Sequence, residues 1–257
     1  MEVPLQFLIV TLFRSFDAPA NVAVVGASGG IGQGAVRLLS DDPSVSLVHA
    51  FSRDATNSRE GKIHHLPISL LDEQSIQGAV EVAASRAPLD IVFVASGMLH
   101  RGRAVQPEKT MRDLSARTMS EVLDVNAIGP ALIAKHFLPA MRKNGKTVFA
   151  VLSARVGSIS DNRLGGWVSY RASKAALNMV IKTLSIEHAR RHPDSIAVSL
   201  HPGTVDTALS KPFSAGVSEN SLFTPQYSAA CLFKVIDGLN VADSGGFFAW
   251  DGRAIEF

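Results

Sequence analysis

The stretch Asn21-Val22-Ala23-Val24-Val25-Gly26-Ala27-Ser28-Gly29-Gly30-Ile31-Gly32 decides the fold. Asn21 to Val25 is a short β-branched run, and the apolar residues Ala35, Val36, Leu38 and Leu39 recur behind the glycines with helical period. The segment therefore reads as strand, glycine turn, helix. Gly26, Gly30 and Gly32 stand as G-x-x-x-G-x-G. That spacing lets the backbone turn tightly and approach a pyrophosphate, whose charge then lies at the helix N-terminus beside Ser28 and Ile31.

Working outward from this turn, the rest of the chain repeats the alternation. A second strand, Val45 to Phe51, ends in Ser52-Arg53, where an adenosine ribose lies in a dinucleotide fold. An acidic residue there would bind both ribose hydroxyls and repel a 2′-phosphate. Arg53 instead offers a guanidinium that suits phosphate, so NADP(H) is expected over NAD(H); the plain alternative is an exposed loop arginine. A third strand from Ile63 to Ile68 leads through Ser69, Leu70 and Leu71 to a helix from Asp72 to Ala84. Leu89 to Ala95 is a fourth strand, opening at its carboxyl end into Ser96-Gly97, the edge where ligands of open α/β sheets gather.

Thr118 to Arg142 reads as one long helical region whose apolar stripe is interrupted by Asn126. A buried amide must be hydrogen-bonded, so Asn126 either satisfies local backbone or holds a water in a functional network. Thr147 to Leu152 makes a fifth strand, ending in Ser153. Ile196 to Leu200 makes a sixth, stopped by His201-Pro202-Gly203-Thr204-Val205-Asp206-Thr207. Residues 208–225 lack any period and read as a lid or a disordered segment. A helix from Tyr227 to Leu239 and a strand from Gly246 to Trp250 follow, and Asp251-Gly252 is a turn that folds the last residues back. The expectation is a single α/β domain over 21–257, a doubly wound parallel sheet (Rossmann fold) of about seven strands with helices on both faces.

Two side chains inside this frame carry chemistry. Tyr170 and Lys174 stand at i and i+4 of a segment that reads as helix, and so share a face. A phenol titrates near 10 in isolation, and a neighbouring ammonium that favours the phenolate would draw it towards neutrality. An exposed pair on an amphipathic helix is the plain alternative.

The composition removes other classes. In 257 residues, 46% of them apolar, Lys and Arg exceed Asp and Glu by two. No basic block tracks a phosphate backbone, so no nucleic-acid partner is expected. The single cysteine, Cys231, forms no internal disulfide and no multi-cysteine metal site, and it fits a reducing cytoplasm. His64-His65 point to opposite faces of a strand, so no metal site is expected. The apolar run Pro4 to Phe13 is too short to span a bilayer, and Glu2 before it and Arg14 and Asp17 after it argue against a secretory signal. Residues 1–20 read as a packed extension, a contact between subunits, or residues from an upstream start codon that the fold does not use.

Gly26-x-x-x-Gly30-x-Gly32, Asn126, Tyr170-x-x-x-Lys174 and Pro202-Gly203-x-Val205-x-Thr207, in this order, resemble the short-chain dehydrogenase/reductase family. Within it, Ser153-Ala154-Arg155-Val156-Gly157-Ser158 and the Asp251-Gly252 tail look most like the C-factor and sniffer-type carbonyl reductases. The resemblance implies an oxidoreductase for a small carbonyl or alcohol substrate. Tyr170 would be the general acid while hydride leaves the nicotinamide. Lys174 would lower the phenol's pKa and hold the nicotinamide ribose, Asn126 would anchor a relay water, and Thr207 would hold the carboxamide. It also implies a homodimer or homotetramer through the Asn126 and Tyr170 helices. Met98, Leu99, Trp167 and Phe213 suggest a mostly apolar substrate.

Three departures stand out. Val94-Ala95-Ser96-Gly97 replaces the family's Asn-Asn-Ala-Gly, Ser69 replaces an adenine-binding Asp, and Ala154 falls where the substrate-polarising serine is usual. Ser153, one residue away, would point elsewhere on a regular strand, so either the strand end is bulged and Ser153 takes that role, or Ser158 or Ser160 reaches in, or the site lacks its serine. A reading from a different class, a dinucleotide-binding signalling or scaffold protein of the same fold, stays open on these departures.

Overall fold

A computed structural model describes residues 11–213 and 222–257. The apolar runs become strands β1 (Ala20–Val25), β2 (Val45–Ser52), β3 (Ser58–Glu60), β4 (Ile63–Pro67), β5 (Ile91–Val94), β6 (Thr147–Leu152), β7 (Ser195–His201), β8 (Thr204–Val205), β9 (Leu222–Phe223) and β10 (Phe247–Ala249). The main sheet has eight strands in the order β10-β7-β6-β5-β1-β2-β4-β3, while β8 and β9 form a separate ribbon. All its neighbours run parallel except β3, which lies antiparallel to β4 at the edge. The strand beyond the expected seven is the exposed Ser58-Arg59-Glu60, which has no apolar residue for a sequence pattern to register.

Helices α1 (Gly30–Asp41), α2 (Glu73–Ala84), α3 (Ala116–Leu123), α4 (Gly129–Phe137), α5 (Val168–Ala189) and α6 (Pro225–Gly238) cover the sheet. Strand alternation decides which face each residue serves. Val148, Ala150 and Leu152 of β6 pack with Leu39 of α1 and Phe233 of α6. Phe149 and Val151 pack with Ile133 of α4 and Leu177 and Ile181 of α5. Residues on both sides are fully buried, which accounts for the near-continuous apolar strands.

The expected single helix over 118–142 is instead interrupted. After α3 the backbone widens into a π turn at Asp124–Ile128 and then continues as α4, with a 3₁₀ turn at Leu138–Ala140. Asn126, fully buried in the π turn, turns its amide away from the helix, and π-bulges of this kind often mark functional positions.

Residues 11–17 form a strap across the amino-terminal end of the sheet. Phe13 is 3% exposed and meets the Phe233 ring edge-on at 5.6 Å. The N–H groups of Arg14 and Ser15 both donate to the Asp237 carboxylate at 2.9 Å, and Leu12 N–H donates to Asp42 at 2.7 Å. Of the readings open for residues 1–20, packing on the domain is what 11–17 do; residues 1–10 lie outside the described residues. At the other terminus Asp251-Gly252 turns the chain, and Ala254 pairs antiparallel with Phe248. No helix among the described residues is long and apolar enough to cross a membrane.

Strands β2 and β5 lie on opposite sides of β1, so the chain reverses its direction of travel there. The crevice outside the carboxyl ends of β1 and β5 is thus the place where such a sheet binds ligands.

Candidate active site

The glycine turn opens that crevice, and each glycine permits a different close approach. Gly26 has φ +88°, and a Cβ on it would lie 2.8 Å from Ser96 N at the end of β5. A Cβ on Gly32 would lie 2.1 Å from the Gly26 carbonyl, so this residue closes the turn on itself. A Cβ on Gly30 would lie 2.5 Å from Thr207 Cγ2, which brings the loop after β7 onto the first turn of α1. Ser28 is exposed and Ile31 half-buried on the rim.

The other residues singled out from the sequence spread along the same edge. Ser52 is half-buried and Arg53 exposed after β2. Ser69 N–H donates to Ser75 Oγ at 3.0 Å, and Leu70 packs against Gly129. Val205 is buried and paired with Phe223, and the Pro202 carbonyl accepts a hydrogen bond from Ser228 at 2.8 Å. Gly203, at φ +78°, is so close to the Phe223 ring that a Cβ would meet it at 2.6 Å. His100 Nε2 and the Ala208 carbonyl, 3.0 Å apart, join the loop after β5 to the loop after β7. Of the expected 208–225 segment, residues 214–221 lie outside the described residues, and the expectation for Phe213 concerns a side chain that is not described.

Tyr170 and Lys174 sit one helical turn apart on the buried face of α5, with Lys174 Nζ 5.9 Å from the Tyr170 ring centre. They are not the exposed surface pair that their spacing alone would allow. Burial pushes the Tyr170 phenol up to about 12 and pulls the Lys174 ammonium down to about 7. Loss of water on burial is the cause of both shifts, raising the phenol and lowering the ammonium. Lys174 Nζ donates to the Leu152 carbonyl at 2.9 Å. A Cβ on Gly157 would come within 2.7 Å of Lys174 Cβ, so the turn after β6 passes directly against the lysine.

Asn126 clamps the Met98 peptide, accepting from its N–H at 2.7 Å and donating to its carbonyl at 2.8 Å, and also donates to Ser173 Oγ at 3.0 Å. The backbone it bonds is not local, since Met98 lies 28 residues away in sequence. It braces the loop that carries Gly97, where a Cβ would lie 3.6 Å from both Asn126 Oδ1 and Lys174 Nζ.

The serine question becomes geometric. Ser153 N–H donates to the Leu200 carbonyl and Ala154 remains extended at φ −146°, ψ 145°, so the strand end is regular, and the bulge on which the expected role of Ser153 depends is absent. Alternation then puts Ser153 on the side of Val151, the α5 side. Its hydroxyl is buried and makes no hydrogen bond among the described residues, as is also true of Ser96 Oγ. Ser158 Oγ is occupied by Asp161 N–H at 3.1 Å, and Ser160 is exposed. Ser173, which accepts from Asn126, also borders this site and is not singled out from the sequence.

A family model described as short chain dehydrogenase matches residues 20–218. The chain is 29% identical over 239 residues to 1-hydroxy-2-glutathionyl-2-methyl-3-butene dehydrogenase of Rhodococcus sp. (strain AD45), covering 93% of this chain and 100% of that protein. It is 34% identical over 143 residues to C-signal of Myxococcus xanthus, covering 56% and 81%. Its fold matches the crystal structure of NADPH bound carbonyl reductase from chicken fatty liver with TM-score 0.80 at 26% identity, over 95% of this chain and 97% of that one. With the glycine turn at the reversal of strand order and the buried Tyr170–Lys174 face of α5 opposite it, these likenesses place the chain in the short-chain dehydrogenase family of oxidoreductases.

Proposed function

We propose that this oxidoreductase uses NADP(H) and interconverts a carbonyl compound and its alcohol, with Tyr170 as general acid in reduction and general base in oxidation. The observation that carries the reading is a buried phenol one helical turn from a buried lysine, with the unpartnered Ser153 hydroxyl on the same side of the sheet. A dinucleotide fits the residues present. Gly29 caps α1 without a side-chain hydrogen bond, so the first N–H groups of the helix have no side-chain partner, and Ser96 Oγ has none among the described residues. Gly26, Ser28, Gly30, Ile31 and Gly32 would hold the pyrophosphate, and Ser52 and Arg53 the 2′-phosphate. Ser69 and Leu70 would border the adenine, while Ser96, Gly97, Pro202, Gly203, Val205 and Thr207 would border the nicotinamide. When bound, that group supplies or takes up the hydride.

The protein's own part is to place and move the proton. Lys174, brought down to about 7 by burial, changes charge near neutrality, and an anionic partner favours its ammonium form. The ammonium beside the ring then draws the phenol down from its buried value towards the working pH, as a general acid requires. Ser153 Oγ would orient the carbonyl oxygen, and Asn126 keeps the Met98 loop in place. Met98 and Trp167, both half-buried, would supply apolar surface for the substrate, whereas Leu99, expected beside them, is 4% exposed and packed in the core. A hydroxy-compound dehydrogenase and a carbonyl reductase among the relatives support reaction in both directions. Assembly as a homodimer or homotetramer through α4 and α5 belongs to the same reading, with Met179 and Ile186 exposed there; light scattering checks it.

The test is NADPH oxidation across a panel of aldehydes and ketones. Tyr170→Phe should lower kcat by about 10²–10⁴-fold, the usual worth of a general acid, with NADPH binding unchanged. Ser153→Ala should lower kcat less while Ser158→Ala has no effect. A wild-type protein that binds NADPH but turns over none of the panel would replace this reading with a dinucleotide-binding signalling or scaffold role.

A further inference from the structure

The first turn of α5 is entered through an unusual backbone. Gly165 and Gly166 have φ of +65° and +68°, and Trp167 follows at φ 52°, ψ 44°. Glycine adopts this region freely, but in a tryptophan the Cβ crowds the following carbonyl, and neighbouring contacts must offset the cost. Trp167 is the only such non-glycine residue among those described.

The contacts that hold it converge on one residue, Glu108. Trp167 N–H donates to the Glu108 main-chain carbonyl at 2.7 Å. The Glu108 carboxylate, 2% exposed, accepts from Ser169 N–H at 3.2 Å and from the Ser169 hydroxyl in a short hydrogen bond. Arg171 Nε braces the far side, donating to the carbonyls of Gly165 at 3.2 Å and Gly166 at 3.0 Å. Glu108 makes no ion pair among the described residues. The buried carboxyl lies at the N-terminal end of α5 and takes both Ser169 donors. The corner so built sets the Trp167 ring edge-on to Tyr170, at 6.4 Å between centres and 74° between planes.

We propose that Glu108 is a positioning residue, which through Ser169 and Trp167 fixes the first turn of α5 so that the Tyr170 hydroxyl meets the reacting carbonyl. This rests on the reading of Tyr170 as the acid. Glu108 itself touches neither substrate nor cofactor. Its side chain is irreplaceable only in accepting from the Ser169 N–H, since the serine hydroxyl can reverse and accept from an amide. Glutamine should therefore substitute for it and alanine should not.

The experiment uses purified full chain with 4-nitrobenzaldehyde and NADPH, and measures NADPH binding separately. Glu108→Ala should lower kcat by about 100-fold, as expected for a misplaced acid, while the Kd for NADPH stays within about twofold. Glu108→Gln should recover most of the loss. A Glu108→Ala kcat near wild type, or a kcat loss matched by an equal loss of NADPH affinity, overturns the proposal. If Glu108→Ala does not fold, Glu108→Asp carries the test: the shorter side chain draws the carboxylate away from the Ser169 N–H and should lower kcat with NADPH binding intact, while Ser169→Ala keeps that bond and should stay near wild type. A Glu108→Asp kcat near wild type overturns the proposal. A second readout needs no turnover: in a Trp250→Phe background only Trp167 fluoresces, and Glu108→Ala should shift its emission while Glu108→Gln should not. An unshifted emission overturns the corner, whereas a shifted one in a protein without turnover leaves the corner standing and removes the Tyr170 reading.

Discussion

Two ends of one sheet bury charge differently. At the amino-terminal end, Asp90 is 5% exposed, and its carboxylate accepts from Asn21 N–H at 2.8 Å and Arg142 Nε at 2.6 Å. The carboxylate in turn holds the Arg142 guanidinium above its ordinary range, chiefly through that hydrogen bond. Nearby, Asp237 ties down the strap, and Lys146 Nζ donates to the Asp237 carbonyl at 2.6 Å. At the carboxyl end, Lys174 is 3% exposed and has the Leu152 carbonyl as its partner, with no acidic side chain bonded to it among the described residues. The Arg142 guanidinium, paired with a carboxylate, is held charged, while the Lys174 ammonium without a counter-charge is brought to about 7. The difference separates the end that stabilises from the end equipped to react.

The largest expected effect breaks the stabilising end alone. Phe13→Ala should cost about 3–5 kcal/mol of stability, the usual range for a buried phenylalanine. Urea unfolding reads that loss, and kcat well below the melting temperature should not change. An equal fall in kcat would mean that the two ends are not separable.

Next in size is Gly32→Ala at the opposite end. The new methyl would meet the Gly26 carbonyl, which is backbone and cannot turn aside. NADPH affinity should fall by about 100-fold, or roughly 2.7 kcal/mol. Gly30→Ala should cost less, because its obstacle is the movable Thr207 side chain. Equal losses in the two variants would contradict this account of the turn.

The contrast in charge has a pH signature. Lys174 has its pKa lowered from 10.5 to about 7 on folding, so between those values the unfolded chain binds more protons than the folded one. This group therefore makes stability rise with pH from about 7 upwards, and it penalises the fold below that. Urea midpoints of wild type and Lys174→Met, compared from pH 6 to 9, should show the rise in wild type and flatten it in the variant. Parallel curves would show that the lysine is charged in the fold throughout.

The smallest effect refines the cofactor reading. Arg53→Ala should weaken NADPH by about tenfold and leave NADH unchanged. Equal change in both would remove the preference for the 2′-phosphate.

The sequence by itself determined the strand–glycine turn–helix unit, the alternation that makes a parallel sheet, and the i, i+4 pairing of Tyr170 with Lys174. These follow from periodicities and local spacings that a linear chain displays directly. It could not display the π turn at Asn126, since the amide leaves the helix to reach Met98, 28 residues away in sequence. Nor could it display Glu108, whose role exists only because the loop after β5 passes the start of α5. It left open whether the end of β6 is bulged, and only the tertiary structure shows that it is regular and that Ser158 is held by Asp161 N–H. The direction of the Tyr170 and Lys174 shifts was also a tertiary matter, because desolvation depends on how many neighbours exclude water, and no spacing along the chain encodes that number.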